Sequence, residues 1–553
     1  MVTTTTTVRG APAMPRPGSG GPRLARSAQE IHDLLARLDA PCVVVSEQGG
    51  AIAATDDPAS LRAAGATVLA VAPPARPERL GAASFLTDYG VRQPYMTGAM
   101  ANGIASPELV VAMARAGFLA TYGAAGVLPD RIDDALGRIR RELGPAPFAC
   151  NLIHSPNELE LERAILAACL RHGVTCVEAS AFLELTPQIV AYRAAGLRPG
   201  GAGGVHVGHR VVAKVSRGEV AELFLRPAPD ALLRPLVADG TLTAEQAALA
   251  RTVPMADDIT VEADSGGHTD RRPLPVLLPE IIAVRDRIAA ELGYRRPPRV
   301  GAAGGIGTPS AVFAAFALGA AYVVTGSVNQ ACVESGQSAA ARALLAKAGP
   351  NDIDMAPASD MFEIGAEVQV LRRGTMFAGR GRRLYDLYRA HDSLDDLSAE
   401  DRDWLERSVL RRSVDEVWAD TVDYFSRRDP EQIERAQANP KRRMALVFRW
   451  YLGLSSGWAI SAAPDRITDY QIWCGPSLGA FNTWAAGSYL ADVDRRSAVD
   501  VAGELMLGAA YTGRAAALRF AGVRLPARAA AYRPPATRES SPAHRYVLTA
   551  GAR

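Results

Sequence analysis

Between residues 91 and 340 the chain alternates short apolar runs with longer segments whose apolar positions recur at helical spacing. The short runs are 95–97, 118–122, 148–153, 175–180, 211–215, 259–263, 299–303 and 322–325. Most are continuously apolar, the pattern of strands covered on both faces. The helical segments between them are 107–116, 131–143, 158–172, 187–195, 279–292 and 309–318. Several begin with proline and stop near glycine, at Gly117, Gly144, Gly173, Gly196, Gly293 and Gly319. The pattern predicts an α/β fold, a (β/α)8 TIM barrel over 91–340, with a doubly wound open sheet as the runner-up. Residues 217–254 look helical and inserted after strand five, and 200–210 exceed what a minimal barrel needs.

The flanks differ. Residues 1–23, rich in Thr, Pro and Gly, read as a flexible tail. Residues 24–90 read as a small N-terminal α/β module: a helix over 26–38, then strands at 42–46, 51–55 and 67–72, the second entered through Gln48-Gly49-Gly50. Residues 341–525 are mostly helical by period. Two less regular, Gly-rich apolar stretches interrupt them, at 361–381 and 453–484. Residues 526–553 read as a loose tail.

Composition narrows the function classes. Hydrophobic residues make up 48% of 553, enough for a substantial core. Lys+Arg is 61 against Asp+Glu 59, a balance that argues against nucleic-acid binding. The six cysteines form no C-x-x-C pair, so neither a zinc site nor a disulfide framework is expected, and a reducing cytoplasm is the default. The longest apolar run, 311–325, is split by Gly319 and is shorter than the ~20 residues that span a bilayer, so no membrane association is expected. The N-terminus has no apolar signal-peptide core.

In a barrel the chemistry belongs on the loops after the C-terminal strand ends. After strand one comes Gly98-Ala99-Met100-Ala101-Asn102-Gly103, small enough for a flat ligand to lie on its backbone, and equally a plain turn. After strand three come Asn151 and His154. Strand five carries Lys214 within VVAKVS, and a buried lysine needs an anion, in a structural ion pair or a ligand. After strand six, Asp264-Ser265-Gly266-Gly267-His268-Thr269-Asp270 puts an imidazole at the mouth. Gly304-Gly305-Ile306-Gly307-Thr308-Pro309 follows strand seven, and Gly326-Ser327 follows strand eight. Glycine amides with a helix N-terminus make an anion site, and these two loops of barrels often hold a phosphate; ordinary turns are the alternative. The P-loop, H-E-x-x-H, EF-hand and G-x-G-x-x-G patterns are absent. Gly475-Pro476-Ser477-Leu478-Gly479 matches the G-x-S-x-G of hydrolases and acyltransferases. Only His544 follows it, so a Gly/Pro turn is the stronger reading.

Seven segments together resemble a known family: YMTGAMANGIAS, FACNLIHSP, VVAKVSR, DSGGHTD, AAGGIGTPSAVFAAFALGAAYVVTGS, MFEIGAEVQVLRRGTMFAGR and YQIWCGPSLGAFNTW. The resemblance is to the trans-acting enoyl reductases of modular polyketide and polyunsaturated fatty acid synthases. These belong to the flavin-barrel superfamily of nitronate monooxygenases (2-nitropropane dioxygenases). It implies FMN, its phosphate on Gly304, Gly305, Gly326 and Ser327 and its ring against Ala99 and Met100, with Asn151, Lys214, Ser265 and Gly267 around it. It implies His268 as the catalytic residue, although Asp264-Ser265 stand where the monooxygenases have Glu-Ala. NADPH would be the reductant, docking over the flavin, and acyl carrier protein domains the partners; a homodimer is compatible with this. The implied activity is reduction of 2-enoyl thioesters. A nitronate monooxygenase is the alternative, and an acyltransferase using Ser477 a weaker one. Arg372, Arg373, Arg380, Arg382, Arg383 and Arg389 cluster beside one family segment, as a solvated face or as a patch that steers acidic carrier proteins.

Overall fold

The computed structural model describes residues 24–47, 49–57, 67–154 and 159–543. The tail 1–23, Gln48 of the expected turn, Glu158 at the head of an expected helix, and 544–553 with His544 lie outside the described residues.

Eight parallel strands close into a barrel in simple sequence order. They are strand one Tyr95–Thr97, two Leu119–Tyr122, three Ala149–Ile153, four Cys176–Ser180, five Arg210–Val215, six Asp258–Glu262, seven Arg299–Ala303 and eight Val323–Thr325. Val323 opposite Tyr95 and Thr325 opposite Thr97 close the ring. The fold class is the one the alternating pattern implied. The outer helices include Pro107–Arg115, Pro129–Leu143, Pro187–Ala195 and Pro309–Ala317. Ser106, Thr186 and Thr308 cap three of them, each accepting the N–H three residues on. The helix expected from 279 begins at Leu274, and Pro279 is tolerated inside it near the N-terminal end. The insertion after strand five is three helices, Gly218–Leu225, Asp230–Ala238 and Ala244–Ala250. The preceding extra stretch is a hairpin of Leu197–Pro199 and Val205–Val207.

The helix Ala83–Tyr89 closes the bottom of the barrel rather than belonging to the N-terminal module. Phe85 and Tyr89 are buried among Met96, Leu119, Val212 and Tyr322, with Phe85 stacked on Tyr322 at 4.4 Å. An ion cluster seals the same end. Arg299 donates to both oxygens of the buried Asp258 carboxylate at 2.6 and 2.7 Å and to Asp88 at 2.6 Å. The Tyr89 hydroxyl donates to Asp258 at 2.6 Å. Burial pushes the Asp258 carboxyl up, against the pull of Arg299 and Tyr89.

After the barrel, an antiparallel sheet joins Ile353–Pro357 and Glu367–Leu371 to the two residues Gly267–His268 of the strand-six loop. The stretch 361–381, irregular by pattern, therefore holds a strand and the start of the helix Phe377–Ala390. That helix shares a core with Pro440–Ser461 through Phe377, Leu384, Phe448 and Tyr451. Residues 526–543, expected to be loose, are ordered: Tyr532 donates to Glu504 at 2.6 Å, and Ser541, also bonded to Glu504, is buried.

Among the described residues, those from Leu24 to Ala75 together with Gly513–Ala531 form a separate compact unit. Its antiparallel sheet has Cys42–Ser46 at the centre, between Ile52–Thr55 and Thr67–Ala72. Arg514 donates to the carbonyls of Leu35, Arg37 and Ala40 and so ends the helix Ala28–Leu35 from a distant part of the chain. The expected module thus stops earlier than residue 90 and gains a C-terminal piece. Among the described residues no helix is long and apolar enough to cross a membrane, and all six cysteines are free and buried.

Replacing Arg299 by Met leaves the Asp258 carboxylate buried without its counter-ion. We expect a loss of about 3–5 kcal/mol in urea unfolding. A midpoint unchanged from the parent protein would show that the cluster contributes nothing to the barrel.

Candidate functional site

Strands four, five and six each send one charged side chain into the C-terminal end of the barrel. Lys214 donates to Glu262 Oε1 at 3.0 Å, and the Ser265 hydroxyl donates to the same oxygen at 3.3 Å. Glu178 is buried, and its carboxylate accepts the Ala99 N–H at 3.2 Å. Burial raises the Glu178 pKa above the usual glutamate value, although Lys214, Thr121 and the Ala99 amide pull it down. Burial works against the Lys214 ammonium, but Glu262 and Glu178 outweigh it and hold its pKa above the ordinary lysine value. Lys214 thus meets in Glu262 the carboxylate partner that its apolar strand demanded, and the charge of Glu178 acts on it as well.

This group orders the neighbouring loops. Glu178 ties down Ala99, next to Met100, on the strand-one loop. Asn151, on strand three, donates to the Glu178 carbonyl at 3.1 Å and to Ser180 Oγ at 2.8 Å. Asn102 donates to Ser456 Oγ at 3.3 Å on the helix Pro440–Ser461. His154 is buried and faces Glu162 at 3.2 Å, a structural pair.

Strands seven and eight are neighbours, so the Gly304-Gly305 and Gly326-Ser327 loops open side by side. Gly304 and Gly305 both have left-handed backbone, φ 81° and 70°. A Cβ on Gly304 would meet the Ala263 and Asp264 backbone at 2.6–2.9 Å, whereas one on Gly305 or Gly326 would have no atom within 4 Å. The segment 473–477 lies against these loops. Gly475 N–H donates to Ser327 Oγ at 3.0 Å, and a Cβ on Gly266 would stand 2.5 Å from Cys474 Cα. Gly266 is thus glycine because the Cys474 backbone packs directly on it. The Ser477 carbonyl packs in the same way on Gly307, and among the described residues no hydrogen bond joins Ser477 to a histidine.

His268 pairs with Val368, and Gly267 with Gln369, at the edge of the small sheet. The His268 ring is half-exposed and faces Asp360 Oδ1 from Nε2 at 3.1 Å. Gln369, on the opposite face of that strand, reaches back to Asp264 Oδ1 at 3.0 Å and the Ser265 carbonyl at 2.7 Å. The structure therefore joins Ala99 and Asn151 to Glu178, and Lys214 and Ser265 to Glu262, through direct hydrogen bonds. It gathers Gly304, Gly305, Gly326 and Ser327 through adjacent strands. It sets His268 with Asp360 on the side facing the C-terminal helices.

Glu178, Glu262, Asp360 and Gln369 escaped the sequence reading. A lone acid inside the apolar run CVEAS was the available signal for Glu178. Asp360 and Gln369 meet the strand-six loop only across about a hundred residues of chain, with no local signal. Of the clustered arginines, Arg380 is nearly buried, its side chain 12% exposed against the buried Asp469.

The nitronate monooxygenase family profile matches residues 83–373. The inserted helical domain of acyl-carrier-protein S-malonyltransferase matches residues 391–470. A polyunsaturated fatty acid synthase component of Thraustochytrium sp. is 45% identical over 515 residues, which cover 92% of this chain and 34% of the relative. The polyketide biosynthesis protein PksE of Bacillus subtilis is 44% identical over 430 residues, 78% of this chain and 56% of the relative. The chain thus spans less than two thirds of either relative's length. The crystal structure of the enoyl reductase domain of MlnA, from the macrolactin biosynthesis cluster of Bacillus amyloliquefaciens, superposes with a TM-score of 0.75 at 34% identity. It covers 80% of this chain and 98% of that domain. With the closed parallel barrel, the glycine loops of strands seven and eight and the helical region beyond them, these likenesses show that the chain belongs to the nitronate monooxygenase family and, within it, to the trans-acting enoyl reductases of polyketide and polyunsaturated fatty acid synthesis.

Proposed function

We propose that the chain reduces 2-enoyl thioesters borne by an acyl carrier protein, with FMN as its cofactor and NADPH as reductant. One observation carries this reading. The open glycine loops of strands seven and eight lie beside an ordered mouth, in a chain that is similar to an enoyl reductase domain across both its barrel and its helical region.

The residues suit the cofactor. Gly304, Gly305, Gly326 and Ser327 would take its phosphate, and the free space at Gly305 and Gly326 leaves room for it. Ala99 and Met100 would carry one face of the ring, on a loop that Glu178 holds rigid. Asn151, Lys214, Ser265 and Gly267 would surround it, with Lys214 kept charged by its two carboxylates. When bound, FMN would relay hydride from NADPH to the β-carbon of the enoyl thioester. His268 would then give a proton to the α-carbon, or polarise the thioester carbonyl, since a histidine can donate and be recharged in the physiological range. Asp360 would hold its Nε2. Nitronate monooxygenase activity is the second reading, favoured by the family match over 83–373.

Gly305→Asp tests the cradle. Aspartate tolerates left-handed backbone better than most residues, and its Cβ would meet no atom within 4 Å. The variant should keep the parent's circular dichroism yet purify colourless. Full flavin content would remove the phosphate assignment.

His268→Ala tests the acid. The variant should retain flavin and still be bleached by NADPH, but reoxidise about 10²–10⁴-fold more slowly with an enoyl thioester. Stopped-flow reoxidation at the parent rate would pass the proton to another group or to water.

A further inference from the structure

A second site lies away from the barrel mouth. A cleft of about 450 Å³ opens between the strand Ile353–Pro357, the helix Phe377–Ala390 and Trp404. That size is within the roughly 300–1,000 Å³ of small-molecule sites. Four arginines line it, Arg372, Arg380, Arg382 and Arg383, against one lining carboxylate, Asp354. Arg382 pairs with Asp354 at 2.6 Å, and Glu367 and Asp386 act on it from further off. Arg383 leans on Asp401 at 2.9 Å. Arg380 shares the single buried carboxylate of Asp469 with Arg411 and Arg466. Arg372 donates to a neutral carbonyl, that of Asn351, at 3.2 Å, with Asp352 and Asp354 further off. The wall opposite is aromatic, with the Arg383 guanidinium 4.0 Å from the centre of the Trp404 ring.

We propose that this cleft binds an organic phosphate ester, its phosphate on the guanidiniums and its organic part along Trp404. Guanidinium forks match phosphate oxygens, and an excess of cations over carboxylates in a cleft calls for an anionic occupant. The aromatic wall distinguishes the site from one for a bare inorganic anion. The cleft is also composite. Asp354 and Arg372 belong to the part that matches the monooxygenase family, and Trp404 to the helical domain match, so it exists only where the two regions meet. It is coupled to the candidate site by one strand: Arg372 follows Val368, the cross-strand partner of His268, by four residues, about 13 Å of extended chain.

Two cosubstrates of the proposed reaction carry such a phosphate: the pantetheine arm of a carrier-bound thioester, and NADPH. The identity of the ester rests on that reading, but the cleft does not, so the test reads binding without turnover. Calorimetric titration of the full chain compares 4′-phosphopantetheine with pantetheine, and NADP⁺ with NAD⁺. In at least one pair the phosphorylated ligand should bind more tightly. Arg372→Glu should weaken that ligand by about tenfold or more and leave its dephosphorylated partner unchanged. Loss confined to the first pair assigns the thioester arm, and loss confined to the second the nucleotide. Arg389→Glu makes the same charge change outside the cleft, near the C-terminal end of the helix that lines it, and should leave all four ligands unaltered. Arg383→Gln, which spares the backbone contact of Arg372, should reproduce the loss if Arg372→Glu proves unstable. No phosphate preference in either pair, or equal weakening by Arg389→Glu, would overturn the site.

Discussion

A lysine between two carboxylates, on three adjacent strands, is the interaction on which the mouth of this barrel depends. Glu178 is buried, and a buried carboxylate without compensation is costly. Lys214 supplies the opposite charge, and the Ala99 amide supplies a hydrogen bond. Glu262 takes the Lys214 ammonium directly and the Ser265 hydroxyl with it. Strands four, five and six and the loops after strands one and six are thereby fixed by one electrostatic group. An apolar replacement could pack as well, but it would not orient the Ala99 and Ser265 loops that the proposed cofactor would touch.

The second constraint is the small sheet. Two residues of the strand-six loop, Gly267 and His268, are claimed as an edge strand by Glu367–Leu371. Gln369 ties the other face of that strand to Asp264 and Ser265. The loop is thus held from the barrel side through Ser265 and from the C-terminal side through His268 and Asp360. The helical region is part of what shapes the mouth. A bare barrel would leave the histidine loop without its edge partner, and Gly266 without the Cys474 backbone that explains it.

Much of this was legible in the sequence. The eight strands were readable because strands covered on both faces are continuous apolar runs, and the helices because proline and glycine mark their ends. Lys214 was readable because a charge in such a run must find a counter-charge. Which acid it finds was not, since Glu178 and Glu262 lie on neighbouring strands far apart in sequence. The strand Glu367–Leu371 was hidden in a Gly-rich stretch because its pairing partner is a loop of the barrel. The boundary of the N-terminal unit was hidden for the same reason: Arg514 bonds carbonyls almost 480 residues back along the chain. Ordered residues such as Tyr532 and Ser541 looked loose because one buried acid, Glu504, holds them rather than any periodic face.

The central claim is that this mouth carries a flavin that takes hydride from a nicotinamide and yields it to an enoyl thioester. The direct measurement is anaerobic. The purified chain is titrated with NADPH while the flavin absorbance is followed, and crotonyl thioester is then added without oxygen. The account predicts bleaching on the first addition and full recovery of the oxidised spectrum on the second, with one saturated thioester formed per flavin. A flavin that NADPH bleaches but that only oxygen restores, or one that NADPH leaves oxidised while a nitronate reduces it, would contradict it.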